Sequence, residues 1–361
     1  MANLKYSAAL LSLCLVLLGC SDGGPSEQGE VAQQQFRWKM VTTWPKNFPG
    51  LGVAAENFVE QVERMSAGRL KIKVYAAGEL VPAMEVFSAV SSGTADIGHG
   101  AAYYWKGKIP AAPLFTSVPF GLNAQEMNGW LHYGGGLELW REAYAPFNLV
   151  PLAAGNTGIQ MGGWFNRELR SLADFKGLKM RIPGLGGEVF SRAGGTAVSL
   201  PGGEIFTSLQ TGVIDAAEWV APYNDLAFGL HQAAKYYYYP GWQEPGPTIE
   251  LIINREAYQS LPEDLLAIVE AAARAVNQDM LDEYTARNNA ALVSLQQQGV
   301  EFRRFPDDVI AELKQITAKV MAENSANDEM FRKTYQSYDS YRRSVTAYHE
   351  ISERAYYEMR D

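Results

Sequence analysis

Cysteine is nearly absent from this chain of 361 residues: there are two, Cys14 and Cys20, and both precede the body of the sequence. That excludes a disulfide framework, a thiol nucleophile and a Cys-ligated metal in the folded part. Histidine is equally scarce. His99, His132, His231 and His349 stand far apart and never take H-x-x-x-H or H-E-x-x-H spacing, so the pattern argues against a His metal centre. Clustered positive charge is missing as well. Thirty-one Lys and Arg face 40 Asp and Glu for a net charge of −9, whereas nucleic-acid binding needs a concentrated basic surface to neutralise phosphates. No G-x-S-x-G elbow or Walker loop occurs, and the glycine-rich stretches at 134–136, 184–187 and 194–195 lack a nucleotide-binding pattern, which leaves turns and close packing as their role. What is present is a turn-rich globular composition, 47% hydrophobic and 20% charged with 34 Gly and 17 Pro. The length suits two domains of ordinary size.

The first residues read as an address. Lys5 precedes an uncharged apolar run, Ala8 to Leu18, shorter than the about 20 residues a membrane-spanning helix needs. Leu17-Leu18-Gly19-Cys20 resembles the lipobox of bacterial lipoproteins. The expectation is a signal segment over 1–19, acylation of Cys20 as a lipid anchor, and a flexible tether over 20–35, where Gly, Ser, Gln, Glu and Pro offer almost nothing to bury.

From Arg37 onward short β-like runs alternate with helical ones: Trp38 to Thr43, Val53 to Met65, Leu70 to Tyr75, Met84 to Ser91 and Ala95 to Gly98. Such alternation predicts βαβ units around parallel or mixed sheets. An internal echo, Ser91-Ser92-Gly93-Thr94-Ala95-Asp96 against Gln210-Thr211-Gly212-Val213-Ile214-Asp215, reads twice as helix, Gly cap, tight turn and Asp entering a strand. It suggests two related α/β lobes. Further on, Ser260 and Glu263 form a capping-box pattern ahead of a helix over about 263–298, followed by helices over about 306–324 and 328 to the end. The last carries Phe331, Tyr335, Tyr338, Val345, Tyr348, Ala355 and Met359 as a stripe, read as core packing with length to spare for a partner subunit.

Chemistry concentrates elsewhere. Arg181 lies in a strand that Pro183 terminates, with no acid in its own segment; it is placed either to bind a carboxylate bidentately or to pair with an acid from another segment. Glu218 sits inside an apolar run and must find positive charge or donors, since an unpaired buried carboxylate is prohibitive. A hard cation held with amide oxygens and an Arg salt bridge are equally open on spacing alone. Asn156 and Gln160 place two amides beside glycines, and Tyr236 to Tyr239 lead to a second acid, Glu244.

On Ala77 to Pro82, Tyr103-Tyr104-Trp105, Gly155 to Phe165, Leu178 to Arg181, Glu218-Trp219-Val220 and Tyr236 to Trp242, the sequence from Trp38 to Tyr357 resembles the solute receptors of tripartite ATP-independent periplasmic (TRAP) transporters. It is particularly similar to the branch that binds small 2-oxo or 2-hydroxy monocarboxylates, pyruvate-like or lactate-like. The resemblance implies a type II-like, two-lobed α/β periplasmic binding fold with long crossing helices and a C-terminal helical extension. It divides the body into a first lobe over 36–157, a second over 158–248, a return to the first with a long crossing helix over 249–327, and a C-terminal helix over 328–361 as a possible dimerisation element. It implies no catalysis. Arg181 matches the residue that pairs with the substrate carboxylate; Gln160, Glu218 and the main-chain carbonyl of Trp219 match ligands of a sodium or calcium ion bound with the substrate, with Glu244 a neighbour. The resemblance also implies Tyr104 and Asn156 as further substrate contacts, and Gln160 and Trp219 adjoin the substrate too. Pro183 and Ala221 stand where relatives often carry Gly, which bears on cleft shape. The partners the resemblance implies are a membrane permease and, through the C-terminal helix, a second copy of the chain. Two rivals remain at this level: a secreted metal-assisted lyase or hydrolase using Glu218 and Glu244, and a lipoprotein scaffold that binds nothing small.

Overall fold

The structure, a computed structural model, describes residues 34–360; the expected signal segment, Cys20 and most of the tether lie outside them. The alternating runs form strands where side chains alternate between faces and helices where apolar residues recur on one side. In the first lobe, β1 (Phe36–Thr42), α1 (Leu51–Met65), β2 (Leu70–Tyr75), α2 (Val86–Ser91) and β3 (Ile97–Gly100) make parallel units. After α3 (Ala124–Tyr133) and α4 (Gly136–Tyr144), β4 (Leu149–Asn156) leads out of the lobe. The second lobe is built from β5 (Gly163–Phe165), β6 (Lys179–Arg181), α5 (Gly184–Arg192), β7 (Thr196–Val198), α6 (Gly202–Gln210), β8 (Ala216–Ala217), α7 (Pro222–Ala227) and β9 (Tyr236–Tyr239). The chain then returns as β10 (Thr248–Asn254), antiparallel between β3 and β4, followed by α8 (Arg255–Ser260) and α9 (Glu263–Gln297). Next, β11 (Glu301–Arg304) pairs with β9 of the second lobe, and the chain closes with α10 (Asp307–Asn327), α11 (Glu329–Ile351) and α12 (Glu353–Arg360). The sheet orders are β2-β1-β3-β10-β4 and β11-β9-β5-β8-β6-β7.

The echo in the sequence is an echo in space. Asp96 Oδ2 accepts from the Lys39 amide at 2.7 Å and Asp215 Oδ2 from the Lys179 amide at 2.8 Å. Each Asp amide also donates back to the same lysine's carbonyl. The same Asp–strand clasp therefore fixes β3 beside β1 and β8 beside β6, after glycines at φ +77° and +74° that the tight turns require.

Helix α9 packs against β4 and α1 of the first lobe and α7 of the second, which explains a length one lobe does not need. Both apolar clusters run through both lobes: Trp44, Phe48 and Tyr284 share one with Trp219 and Tyr237, and Trp105 and Phe115 share the other with Met180 and Phe190.

Three expectations are corrected. Ser260 does not cap α9: its hydroxyl donates back to Ala257 at 2.7 Å and Pro262 is the cap residue, because α8 already occupies that stretch. The stretch 249–327 visits the second lobe as well as the first, through β11. The last helix breaks at Ser352, where φ is −115° and ψ is −97°. Of its stripe, Phe331 and Tyr338 are buried in the chain's own core, whereas Tyr348 and Met359 are exposed, as are Ile351, Tyr356 and Tyr357, which lie outside the expected stripe. No helix among the described residues is long and apolar enough to cross a membrane.

Candidate functional site

Three parts of the chain, the last of them a pair of loops, converge where the lobes meet. The first is the end of β6, where Arg181 is turned inward and fully buried. Its Nη1 donates to Glu218 twice, to the carboxylate at 2.9 Å and to the main-chain carbonyl at 2.8 Å, while Nη2 donates to Tyr104 of the first lobe at 3.2 Å. The guanidinium also lies 5.2 Å from the Trp219 ring centroid. The second is the segment after β8. Parallel pairing of β8 with β6 sets Glu218 beside Arg181, and the Glu218 amide donates to the Arg181 carbonyl at 2.9 Å. The third is the pair of loops at 157–162 and 240–247. Gln160 N donates to the Glu244 carbonyl at 3.1 Å and Gly241 N to the Gln160 carbonyl at 3.0 Å. A side chain at Gly241 would collide with that carbonyl, so glycine is what lets these loops touch.

Among the described residues, four acids (Glu218, Asp225, Glu244, Glu250) and one cationic side chain (Arg181) are buried. The charge balance inside is therefore unfavourable to ionised carboxylates. Burial pushes the Glu218 carboxyl well above the ordinary range, Glu244 beside it pushes the same way, and Arg181 opposes both without prevailing. Burial lifts Glu244 to about 8 against the pull of Arg181. One oxygen on each has no hydrogen-bond partner: Glu218 Oε1 and Glu244 Oε2 are orphaned, and so is Gln160 Oε1, whose amide nitrogen is held by Thr157 at 3.2 Å. The Trp219 carbonyl likewise takes no hydrogen bond among the described residues. Buried acceptors without donors are costly and rare. This set, two carboxylates, one amide and one carbonyl, fits a hard, oxygen-seeking cation and offers nothing to a soft metal. Among the described residues no cluster of three or more His, Cys, Asp or Glu could hold a metal; here two of the four donor groups are Glu carboxylates and the other two are an amide and a main-chain carbonyl.

The remaining predicted residues divide. Tyr104 is half-buried against Arg181, with Tyr103 packed edge-on at 4.7 Å. Asn156 sits at the lobe junction, but its side chain is engaged in the backbone: Nδ2 donates to the Gly246 carbonyl at 3.1 Å, and Oδ1 accepts from Gly158 N at 2.9 Å. His99 is a core residue. Its Nε2 bonds the Ala154 carbonyl at 3.2 Å, Nδ1 accepts from the Trp44 indole at 2.8 Å, and burial pulls it down to about 4.

Sequence reasoning missed Asp225 and the aromatic wall around Trp219. Trp44 and Phe48 of the first lobe lie 6.3 and 6.0 Å from the Trp219 ring, with Phe228 on another side at 5.0 Å. Asp225 is raised to about 6 by burial, opposed by hydrogen bonds from Tyr237, Trp164, Val220 and Ala221. Its only sequence signal is an acid in the first turn after Pro222, a commonplace position.

The comparisons with known proteins meet this geometry. The family described as bacterial extracellular solute-binding protein, family 7, matches residues 40–328. The chain belongs to this family. A monocarboxylate 2-oxoacid-binding periplasmic protein of Nostoc sp. is 43% identical over 350 residues, covering 97% of this chain and 96% of that protein. A TRAP periplasmic solute-binding protein from Pseudoalteromonas atlantica T6c, solved with sodium and pyruvate, is 40% identical at a TM-score of 0.88, over 90% of this chain and 99% of the other. A TRAP solute-binding protein from Bordetella bronchiseptica RB50, a mixed-occupancy dimer with copurified calcium and picolinate in one site, is 36% identical at a TM-score of 0.89, over 90% and 97%. The chain is thus an exported solute-binding protein with the two-lobed periplasmic fold and not an enzyme, and the lyase reading has no support.

Proposed function

We propose that this protein is the extracytoplasmic receptor of a TRAP transporter and captures a small 2-oxo or 2-hydroxy monocarboxylate, pyruvate-like or lactate-like, together with a sodium or calcium ion for delivery to a membrane permease. The observation that carries the reading is the ring of unpartnered oxygens, Gln160 Oε1, Glu218 Oε1 and Glu244 Oε2, around Arg181, the single buried cation among the described residues. Arg181 binds the substrate carboxylate, with Tyr104 and Asn156 beside it. Gln160, Glu218, Glu244 and the Trp219 carbonyl hold the ion, which supplies positive charge to the buried carboxylates and the substrate together. Because Arg181 and Tyr104 come from different lobes, a ligand touching both favours the closed arrangement.

Calorimetric titration with pyruvate tests this. Wild type should bind, and binding should strengthen with sodium or calcium chloride. Arg181→Ala should lose affinity by on the order of 100-fold or more, since it leaves Glu218 and the ligand carboxylate facing each other uncompensated. Unchanged affinity in that variant overturns the carboxylate role.

Anchoring through Cys20 and dimerisation through the C-terminal end belong to the same reading. The exposed Tyr348, Ile351, Tyr356, Tyr357 and Met359 support the second. Truncation should spare Phe331 and Tyr338, so the chain is cut after Thr346. Solution mass should fall from dimer to monomer with the fold intact; an unchanged mass rejects this end as the interface.

A further inference from the structure

The carbonyl of Trp219 is the one oxygen of the proposed cation site that no side-chain torsion can aim, so something must fix the backbone that carries it. The segment 218–221 is held almost completely. Glu218 is tied on both its amide and its carbonyl to Arg181. The Val220 amide donates to Asp225 Oδ1 at 3.1 Å, the Asp225 amide donates to the Ala221 carbonyl at 3.0 Å, and the Val220 carbonyl accepts from the Met161 amide at 2.9 Å. A trans peptide unit is planar, with its N–H and C=O on opposite sides. Holding the Val220 N–H on Asp225 therefore aims the Trp219 C=O, which belongs to the same unit, the other way.

Asp225 is itself anchored from below. Its Oδ2 accepts from the Trp164 indole of β5 at 2.9 Å and the Tyr237 hydroxyl of β9 at 2.6 Å. Those two rings stack on each other at 4.0 Å and 12°. The carboxylate thus joins the rigid floor of the second sheet to the backbone of the binding segment. A buried acid with no cation beside it is otherwise an expensive way to fill a core.

We infer that Asp225 is a positioning residue for the cation site, acting through the Val220 amide to orient the Trp219 carbonyl. This rests on the receptor reading above. Partners that orient a ligating group typically change metal affinity by about 10–100-fold when removed, while leaving the other ligands in place.

The test compares two buried acids. Glu250 has the same kinds of side-chain donor as Asp225, an indole from Trp105 and a hydroxyl from Tyr144, but bonds no backbone of the 218–221 segment. Pyruvate affinity of the full chain is measured by calorimetry in choline chloride, in sodium chloride and in calcium chloride, with melting temperature alongside, for Asp225→Asn and Glu250→Gln. The milder pair Tyr237→Phe and Tyr144→Phe is run in parallel and decides the matter should Asp225→Asn fail to fold. Asp225→Asn is expected to shrink the gain in affinity that the cation confers by about tenfold while cation-free affinity stays near wild type, and Tyr237→Phe to shrink it by a smaller factor. Glu250→Gln and Tyr144→Phe should lower melting temperature alone. If Asp225→Asn or Tyr237→Phe changes affinity by one factor with and without the cation, or only lowers melting temperature as its Glu250 counterpart does, Asp225 is structural and the inference is overturned while the receptor reading stands. A wild type whose pyruvate affinity ignores both cations overturns the cation reading and this inference with it.

Discussion

The four buried acids among the described residues fall into two pairs that look alike in burial and differ in how their oxygens are used. Asp225 and Glu250 are both met by an indole N–H and a tyrosine hydroxyl, neutral donors supplied by the surrounding core. Glu218 and Glu244 each keep one oxygen with no partner at all. Both pairs are pushed up by burial, to about 6 and 7 for Asp225 and Glu250 and to about 8 for Glu244, so the shift alone does not distinguish a structural acid from a binding one. Orphaned oxygens do. A core acid has its hydrogen bonds completed by the fold, whereas a binding acid is left incomplete until something outside the chain arrives.

The sharpest way to break that comparison is to neutralise one acid of each pair. Glu244→Gln should lose most of the cation-dependent pyruvate affinity, on the order of 100-fold, while the unliganded protein, melted above about pH 8 where the wild-type carboxyl is ionised, is at least as stable as wild type, because a costly buried charge has been removed. Glu250→Gln should do the reverse, with affinity unchanged and stability down by about 1–3 kcal/mol as one aromatic donor loses its acceptor. Calorimetry and thermal melts on the two variants read both quantities. If Glu244→Gln melts several degrees below wild type and keeps its cation response, the orphaned oxygen marks nothing and the distinction fails.

Much of this was legible in the sequence, and the reason differs by element. Strand β2 falls on the residues expected because its alternation is local, β9 because four consecutive tyrosines favour a strand, and the Asp96 and Asp215 clasps were visible as a repeated Gly-x-x-Asp. The break at Ser352 was not, since Ser352 interrupts neither the charge pattern nor the apolar stripe and carries no Pro or Gly. At the site, Arg181 and Glu218 stood out because a charge in an apolar run demands a partner, yet spacing left open whether that partner was an ion or each other. The structure supplies an ion pair through one Glu218 oxygen and leaves the other oxygen free, so the two readings were not exclusive. Asp225 stayed hidden because its partners, Trp164, Tyr237 and Val220, come from three segments that only the sheet brings together.

The smallest effect separates the pairs by pH. A carboxyl whose pKa rises on folding holds its proton more tightly in the folded state, so its contribution to stability is complete below the ordinary carboxylate pKa and is lost as pH climbs through the folded value. For Glu250 that window runs from 4.5 to about 7, and for Glu244 from 4.5 to about 8. Unliganded protein should therefore melt progressively lower from pH 5 to pH 8. The two contributions can be removed separately. Glu250→Gln flattens the slope below about pH 7 whether or not ligand is present. Saturating pyruvate with calcium flattens the part due to Glu244, since a group held ionised by a bound cation no longer carries the extra proton, and it leaves the Glu250 part untouched. The same linkage requires binding at pH 7 to release protons, read as a calorimetric enthalpy that changes with the ionisation heat of the buffer. A buffer-independent enthalpy would mean that Glu244 is already ionised before the cation arrives, and the incomplete pair would then differ from the complete one in geometry alone.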